Sequence, residues 1–497
     1  MTNPRGTRNG RVGKIDRRRF LQATAAAGAV TLARTARARA ASGKRPPNIL
    51  YIITDQQNAR MMSCAGNRYV KTPAMDSLAA TGARFERAYA SNPVCLPARF
   101  SMMTGRMPSD LLIRENAGIP DRKPVPEAML RQAMGGLFRR AGYEVLYGGK
   151  THWPRGMSVQ SIGFDPLTPN QRDGLADACA EFLKKKHAKP FLLVASFINP
   201  HDICYMAIDA YTRAVKKEKM FPKSSVERRR LAEALKMPEG VSREAFFKEH
   251  CPPLPPNVGI PPLEPECITK LLKMRRFREH ARRNWPDDEW RRHRWAYCRL
   301  TEMVDAQIGR VLDALREAGL EEDTLVVFAG DHGDMDGAHR IEHKTVLYEE
   351  ASRVPLIVSH KGVTRPGLVD ETHLVSVGLD LLPTLCDYAG IDVPAGLRGR
   401  SVRALAQGRA PKTWRDDLVV ESQIGRMLRT ARHKYNVYED GAHREQLIDL
   451  AKDPGEMVNL AEDPKYAQVL GDHRKRLRRW VDETDDEIGK AYVLPGA

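Results

Sequence analysis

Four short apolar runs, rich in β-branched and aromatic side chains, each stop at a polar residue, and no other feature of the chain constrains its fold as much. They are Ile49-Leu50-Tyr51-Ile52-Ile53 before Asp55, Val145-Leu146-Tyr147 before Lys150, residues 191–197 before His201, and residues 325–328 before Asp331. Runs that are apolar on both faces are the mark of buried parallel strands. Helical spacing lies between them, as in Val304, Ile308, Val311, Leu312 and Leu315, with Gly319 as the stop. The alternation predicts an α/β fold: a large mixed, mostly parallel sheet flanked by helices. In such sheets ligands sit outside the carboxyl ends of the strands, so Asp55, Lys150, His201 and Asp331 should converge on one side.

The 497 residues, 42% hydrophobic and 29% charged, supply ample material for that core. The α/β domain is expected over residues 44–412. Between 205 and 295 the pattern breaks into a Lys-rich helix, a Pro-rich loop and a basic, aromatic stretch. Residues 270–299 of that stretch carry eleven Lys or Arg against four acids. An atypical insertion over the sheet edge is expected here. Its charge reads as a cationic rim that draws in an anionic substrate or as a solvated helix face. From 413 to 497 the style changes to short strands, at 418–421, 427–430, 434–438 and 446–450. A closing helix carrying Tyr466, Val469, Leu470, Leu477, Trp480 and Val481 follows, which together predict a smaller C-terminal α+β domain.

The first forty residues read as an address. Asp16-Arg17-Arg18-Arg19-Phe20-Leu21-Gln22 opens an Ala-rich segment, and Ala38-Arg39-Ala40 offers a small-x-small cleavage site. This resembles a twin-arginine export signal, which implies the export machinery as a partner and a periplasmic or secreted product. A membrane anchor or a basic nucleic-acid arm are the plainer readings. No apolar run reaches the ~18 residues that cross a bilayer, so no stable membrane anchor is expected after cleavage. The leader holds ten Lys or Arg and one acid, so its removal lowers the net charge from +18 to +9. With half the basicity gone and no recognition motif present, nucleic-acid binding is not expected.

Eight cysteines, at 64, 95, 179, 204, 251, 267, 298 and 386, include no C-x-x-C pair, which removes the spacing of a structural zinc site. A chain exported after folding in a reducing cytosol does not depend on a disulfide framework. Cys251 and Cys267 bracket a Pro-rich stretch and form one candidate late disulfide, with two free thiols as the alternative.

Cys95-Leu96-Pro97-Ala98-Arg99 is the most informative pentapeptide. A helix expected over 97–103 would aim its positive end at Cys95, and the plain reading is a thiolate nucleophile of depressed pKa. With Thr104-Gly105-Arg106 behind it, C-x-P-x-R resembles the formylglycine signature of type I sulfatases, members of the alkaline phosphatase superfamily. The resemblance extends over most of residues 46–485, including Pro47-Asn48-Ile49-Leu50, Leu379-Asp380-Leu381-Leu382-Pro383-Thr384-Leu385, Asp449-Leu450-Ala451-Lys452-Asp453-Pro454 and Asn459-Leu460. It implies an alkaline phosphatase-like fold and a generating enzyme that oxidises Cys95 to an aldehyde. One hydroxyl of the aldehyde hydrate attacks sulfur and displaces the alcohol, and loss of the second hydroxyl's proton regenerates the aldehyde and frees sulfate. No water need attack sulfur.

The remaining parts are assigned by the same resemblance. Asp55-Gln56 and Asp331-His332 match the family's two metal-ligand doublets, with Cys95 as the nucleophile on the cation. Gln56 stands where many relatives carry a second Asp, and His332 where many carry Asn. Hard oxygen donors favour Ca²⁺ or Mg²⁺; the resemblance implies Ca²⁺ first, with Mg²⁺ and Mn²⁺ behind it, an imidazole ligand favouring Mn²⁺. Lys150-Thr151-His152 fits the K-x-H element. Lys150 would bridge nucleophile and sulfate, and His152 would hold and help deprotonate a hydroxyl. His201 would donate to the leaving oxygen, Lys344 would bind sulfate, and Arg99 would hold the hydrate. His339, Glu342 and His343 either shape the substrate pocket or solvate a loop.

The implied function is hydrolysis of a sulfate monoester of a sulfated carbohydrate, with choline sulfate and aryl or alkyl sulfates also open. The alternatives are a phosphonate or phosphodiester hydrolase of the same superfamily, and a non-catalytic protein that binds sulfated glycans. Specificity is expected to reside in the atypical segment 205–295.

Overall fold

The apolar runs of the sequence become the middle of an eight-stranded sheet. The computed structural model describes residues 45–116, 125–215, 225–491 and 493; the expected export signal, 1–40, lies outside the described residues. The strands are β1 (Asn48–Asp55), β2 (Ala83–Phe85), β3 (Ala88–Tyr89), β4 (Glu144–Gly149), β5 (Asp165–Pro166), β6 (Phe191–Pro200), β7 (Thr324–Gly330), β8 (Leu356–Ser359), β9 (Leu368–Asp370) and β10 (Val375–Ser376). Their order is β5-β4-β6-β1-β7-β8-β2-β9, with β3 and β10 paired apart. The central ladders are parallel, Ile49 lying opposite Leu192 of β6 and Leu325 of β7, and β8 alone runs against its neighbours.

Why both faces of these strands are apolar is evident from what covers them. Ile49, Tyr51, Ile53, Leu192, Val194, Leu325 and Val327 face one cluster, which the helices Cys95–Thr104, Met134–Arg140 and Val377–Ala389 close. Leu50, Ile52, Leu193, Ala195, Val326 and Phe328 face the other, beneath the helices Pro73–Thr81, Leu175–Leu183 and Asp287–Glu317. Alternate residues thus pack against opposite layers, as the two-residue strand period requires. Gly319, at φ 67°, follows the long helix as expected.

The atypical segment folds as helices Cys204–Ala214, Val226–Ala234, Glu266–Met274 and Arg276–Asn284, then turns at Trp285 and Pro286 into Asp287–Glu317. It was expected over the sheet edge, but it packs over the carboxyl ends of two central strands. Trp285, Trp290, Ala296 and Tyr297 pack with Met61 and Val70 from the loop after β1, with Ile203 from the turn after β6, and with Met206 and Ala207 from the helix Cys204–Ala214. The reason is continuity: the helix that covers the sheet face begins inside the basic stretch, with Arg291, Arg292, Arg294 and Arg299 on its first turns, so the end of the insertion is held at the centre.

Residues 417–449 form a second sheet, antiparallel in the order β11 (Asp417–Ser422), β12 (Gly425–Thr430), β13 (His433–Tyr438), β14 (Glu445–Asp449). The helix Ala467–Thr484 lays Leu470, Leu477 and Val481 on its Val419, Leu428, Tyr435 and Leu447. All eight cysteines are free. The candidate Cys251–Cys267 disulfide is not formed, because Cys251 packs with Phe246 and Trp295 while Cys267 packs beside Val420 and Ile424. Among the described residues no helix is long and apolar enough to cross a membrane.

Candidate active site

Every strand end singled out by its polar residue delivers that residue to one buried pocket. Cys95 opens its helix two residues earlier than expected, with Val94 as cap and Pro97 inside the first turn, where its missing N–H removes no bond. The Cys95 sulfur lies 3.0 Å from Lys344 Nζ, 3.1 Å from His332 Nε2, 3.8 Å from Asp55 Oδ1 and 4.0 Å from Lys150 Nζ. His152 and His201 also lie against it as hydrogen-bond partners. Burial by itself would raise the thiol's pKa, but Lys150, Lys344 and His332 hold it well below the usual thiol range.

Arg99, four residues on along the same helix, is fully buried and organises the carboxylates. Its Nε donates to Asp331 Oδ2 at 2.7 Å and one terminal nitrogen to Asp55 Oδ2 at 2.9 Å. The other terminal nitrogen donates to Ser196 Oγ at 2.6 Å and to the Lys150 carbonyl at 3.0 Å. Arg99 therefore reaches Cys95 through the carboxylates, while Lys150 Nζ adds a 2.6 Å ion pair to Asp55 Oδ2. Asp55 is held well below the carboxylate range although burial opposes this, because Lys150, His201 and Arg99 surround it. Asp331 is raised, by burial and by the Asp55 charge beside it.

With both Oδ2 atoms occupied, the Oδ1 atoms of Asp55 and Asp331 face His332 Nε2 at 3.9 and 3.6 Å. The His332 Nδ1–H donates to the Gly333 carbonyl at 2.9 Å, which turns Nε2 toward the carboxylates; the Asp331 charge raises the His332 pKa although burial opposes this. One ligand atom each from Asp55, Cys95, Asp331 and His332 lies within 4.8 Å of the others, all buried. Two carboxylate oxygens and an imidazole nitrogen fit a divalent cation, and the backbone N–H groups of Gln56 and His332 fix Asp331 Oδ1 in place at 3.0 and 2.8 Å. Gln56 is turned from this group. Its amide N–H donates to Asp334 Oδ2 at 2.6 Å, and its carbonyl accepts from Lys344 Nζ at 2.7 Å and Cys204 Sγ at 3.0 Å.

The backbone holds these side chains in conformations that most residues avoid. Gln56, His152, His343 and Thr345 all have positive φ, at 64°, 54°, 80° and 92°, and left-handed geometry at a β-branched Thr is strained. Gly149, at φ 91°, ends β4 so close to β6 that a Cβ would lie 2.0 Å from the Ser196 carbonyl; this turn sets the direction of Lys150. The second sheet braces the Lys344 loop, since Ser422 Oγ donates to the Thr345 carbonyl at 2.6 Å and Thr345 N–H bonds Pro93, just before Cys95.

His201 has its pKa pushed down to about 4 by burial and by Lys150 and Lys344, so it is a neutral imidazole in this state. His339, Glu342 and His343 are buried rather than solvated: His339 stacks on Tyr348 at 4.0 Å, and His343 pairs with Glu342 while its ring meets Phe277 at 5.3 Å. Sequence reasoning missed Asp334, Ser196 and Tyr297. Asp334, raised to about 7 chiefly by burial, orients Gln56; Ser196 holds Arg99; the Tyr297 hydroxyl donates to the backbone carbonyl of Gln56 at 2.5 Å. Asp334 follows His332 by two residues and Ser196 ends an apolar run, but neither position carries a signal by itself.

A nucleophilic position at a helix start, over paired carboxylates and a histidine at the carboxyl end of a mostly parallel sheet, defines an enzyme of the alkaline phosphatase superfamily. Residues 47–391 match the sulfatase family model, and residues 337–483 match the model of the N-sulphoglucosamine sulphohydrolase C-terminal region. A Delta 4,5-hexuronate-2-O-sulfatase of Bacteroides thetaiotaomicron is 30% identical, over 91% of this chain and 92% of its own. The crystal structure of a putative sulfatase from Bacteroides thetaiotaomicron superposes with a TM-score of 0.75 at 29% identity, covering 89% of this chain and 94% of that one. A 2-O GAG sulfatase superposes with a TM-score of 0.74 at 27% identity, covering 91% and 99%. The chain belongs to the sulfatase family and is a sulfuric ester hydrolase.

Proposed function

We propose that this chain is an exported sulfatase that removes a sulfate monoester from a saccharide, with an aldehyde derived from Cys95 as the source of its nucleophile and a divalent cation in the carboxylate pocket. The observation that carries the reading is the position of the Cys95 sulfur, 3.0 Å from Lys344 and 3.1 Å from His332 at a helix N-terminus. A saccharide substrate is supported by the hexuronate sulfatase relative, which aligns over nearly its whole length. Export is proposed from the Arg17-Arg18-Arg19 segment alone.

Asp55, Asp331 and His332 would hold the cation, with Gln56 contributing its carbonyl once Lys344 turns to substrate; Ca²⁺ is proposed first, with Mg²⁺ and Mn²⁺ as alternatives. When bound, the cation would neutralise the carboxylates and polarise both the nucleophile and a sulfuryl oxygen. The chain's own residues do the rest. Arg99 fixes both carboxylates so that only their Oδ1 atoms face the pocket. Lys150 and Lys344 place two cations on the anion's oxygens, where charge builds as the ester bond breaks. His201, whose pKa burial pushes down to about 4, gains basicity when a sulfate lies beside it and then donates to the departing alcohol oxygen. His152, beside the Cys95 side chain, accepts a proton from the nucleophile.

The test is sulfate release from a sulfated saccharide by protein co-expressed with a formylglycine-generating enzyme, with a phosphonate monoester run in parallel. Sulfate turnover that falls on chelation and returns with added Ca²⁺, Mg²⁺ or Mn²⁺ supports the reading. Preferential phosphonate cleavage, or full sulfate turnover after verified metal removal, contradicts it.

A further inference from the structure

The insertion carries a charge that the described residues leave unanswered. Arg278, in the helix Arg276–Asn284, is 9% exposed, and among the described residues its guanidinium has no hydrogen-bond or ion-pair partner, with Nε wholly buried. The guanidinium lies 5.9 Å from the centroid of the Phe277 ring. Other arginines of the same basic stretch behave differently: Arg282 forks onto Glu264 at 2.7 and 2.8 Å, Arg294 holds Asp336 at 3.0 Å, and Arg299 holds Glu302 at 2.6 Å. Burying a cation without a counter-charge is strongly unfavourable, so a side chain in this state is prepared for an anion from outside.

Its place in the fold says which anion. Phe277, the preceding residue, packs its ring 5.3 Å from that of His343, and His343 precedes Lys344, whose Nζ is 3.0 Å from the Cys95 sulfur. The helix Arg276–Asn284 lies on the helix Cys204–Ala214, whose first residue bonds Gln56. The Arg278 charge acts on His343, and Cys204 and Asp334 act on Arg278 in turn. The guanidinium therefore belongs to the wall of the sulfate pocket, on the side from which the insertion covers it. A planar fork of donors matches a carboxylate or a sulfate in two parallel hydrogen bonds.

We infer that Arg278 is a specificity-determining subsite for a second anionic group, a carboxylate or a further sulfate, on the sugar whose scissile sulfate lies against Lys150 and Lys344. This rests on the function proposed above and adds the substrate class, a sugar with two negative charges.

Two matched substrate pairs test it: an unsaturated 2-O-sulfated hexuronate disaccharide with its carboxyl-reduced counterpart, and glucosamine 2-N,6-O-disulfate with the 6-O-sulfate. In Arg278→Gln the preference in kcat/KM for the doubly charged member of one pair should fall about 10- to 100-fold, chiefly through KM, with Arg278→Lys recovering part of it. The pair that responds identifies the anion. An unchanged preference in both pairs overturns the inference. So does earlier thermal unfolding of Arg278→Gln, because loss of an unpaired buried charge should not weaken the fold. Calorimetric titration of Cys95→Ala protein with the same sugars reads the subsite without turnover. Arg278-dependent binding in a wild type that hydrolyses nothing sinks the proposed mechanism and sustains the subsite; hydrolysis without Arg278 dependence does the reverse.

Discussion

Arg99 shows how much of the site one side chain decides. Its fork spans Asp55 and Asp331, which come from β1 and the turn after β7, and so it fixes which oxygens remain free. Lys keeps the charge but has no fork, so Arg99→Lys should reduce sulfate release at least about 100-fold and lower stability by about 3 kcal/mol, measured by initial rates and chemical denaturation. Cys95→Ala should abolish hydrolysis yet leave the denaturation midpoint within about 1 kcal/mol of wild type, since the side chain is small and sits at a helix start. Asp55, Cys95, Arg99, Lys150, His201 and Asp331 were legible in the sequence because strand ends and one pentapeptide mark them, whereas Lys344 was named only by the family resemblance. Asp334 was not legible: its effect on Gln56 is a contact across 278 positions, and no local pattern encodes such a pairing.

At the scale of elements, the functional loops are held by close backbone approach rather than by side-chain packing. Gly149→Ala would place a Cβ 2.0 Å from the Ser196 carbonyl in a left-handed conformation. It should destabilise the protein by more than about 2 kcal/mol and slow turnover by displacing Lys150, both readable from one purified sample. Ser422→Ala removes the bond to the Thr345 carbonyl and should lower stability by about 1 kcal/mol while reducing kcat, because the Lys344 loop then loses its brace. Strand identity and order of types were legible from period and burial. The start of the Cys95 helix was misplaced by two residues, since Pro97 marks a first turn without saying which position of it. Nothing in the sequence showed that the second sheet braces the Lys344 loop.

For the whole molecule, the informative fact is that the insertion covers the centre of the sheet, with its basic stretch continuous with a core helix. His293 lies in that cover between Trp285 and Trp290, its pKa pushed down to about 3, chiefly by burial. The folded pKa lies below the unfolded value of about 6.5, so the unfolded chain binds the extra proton and stability is lost as pH falls through the window from 6.5 to 3. At pH 5 this amounts to about 2 kcal/mol, and His293→Phe should remove it; denaturation midpoints of the two proteins at pH 7.5 and 5.0 give the difference. The position of the insertion was not legible because composition reveals that a segment is atypical, not where a continuous helix carries it.

The most direct test follows the chemistry of position 95. Protein prepared with varying degrees of maturation should release inorganic sulfate from a sulfated hexuronate at a rate proportional to the fraction of Cys95 peptide found as aldehyde by mass spectrometry. Undiminished release from protein whose Cys95 remains a thiol throughout would contradict the mechanism.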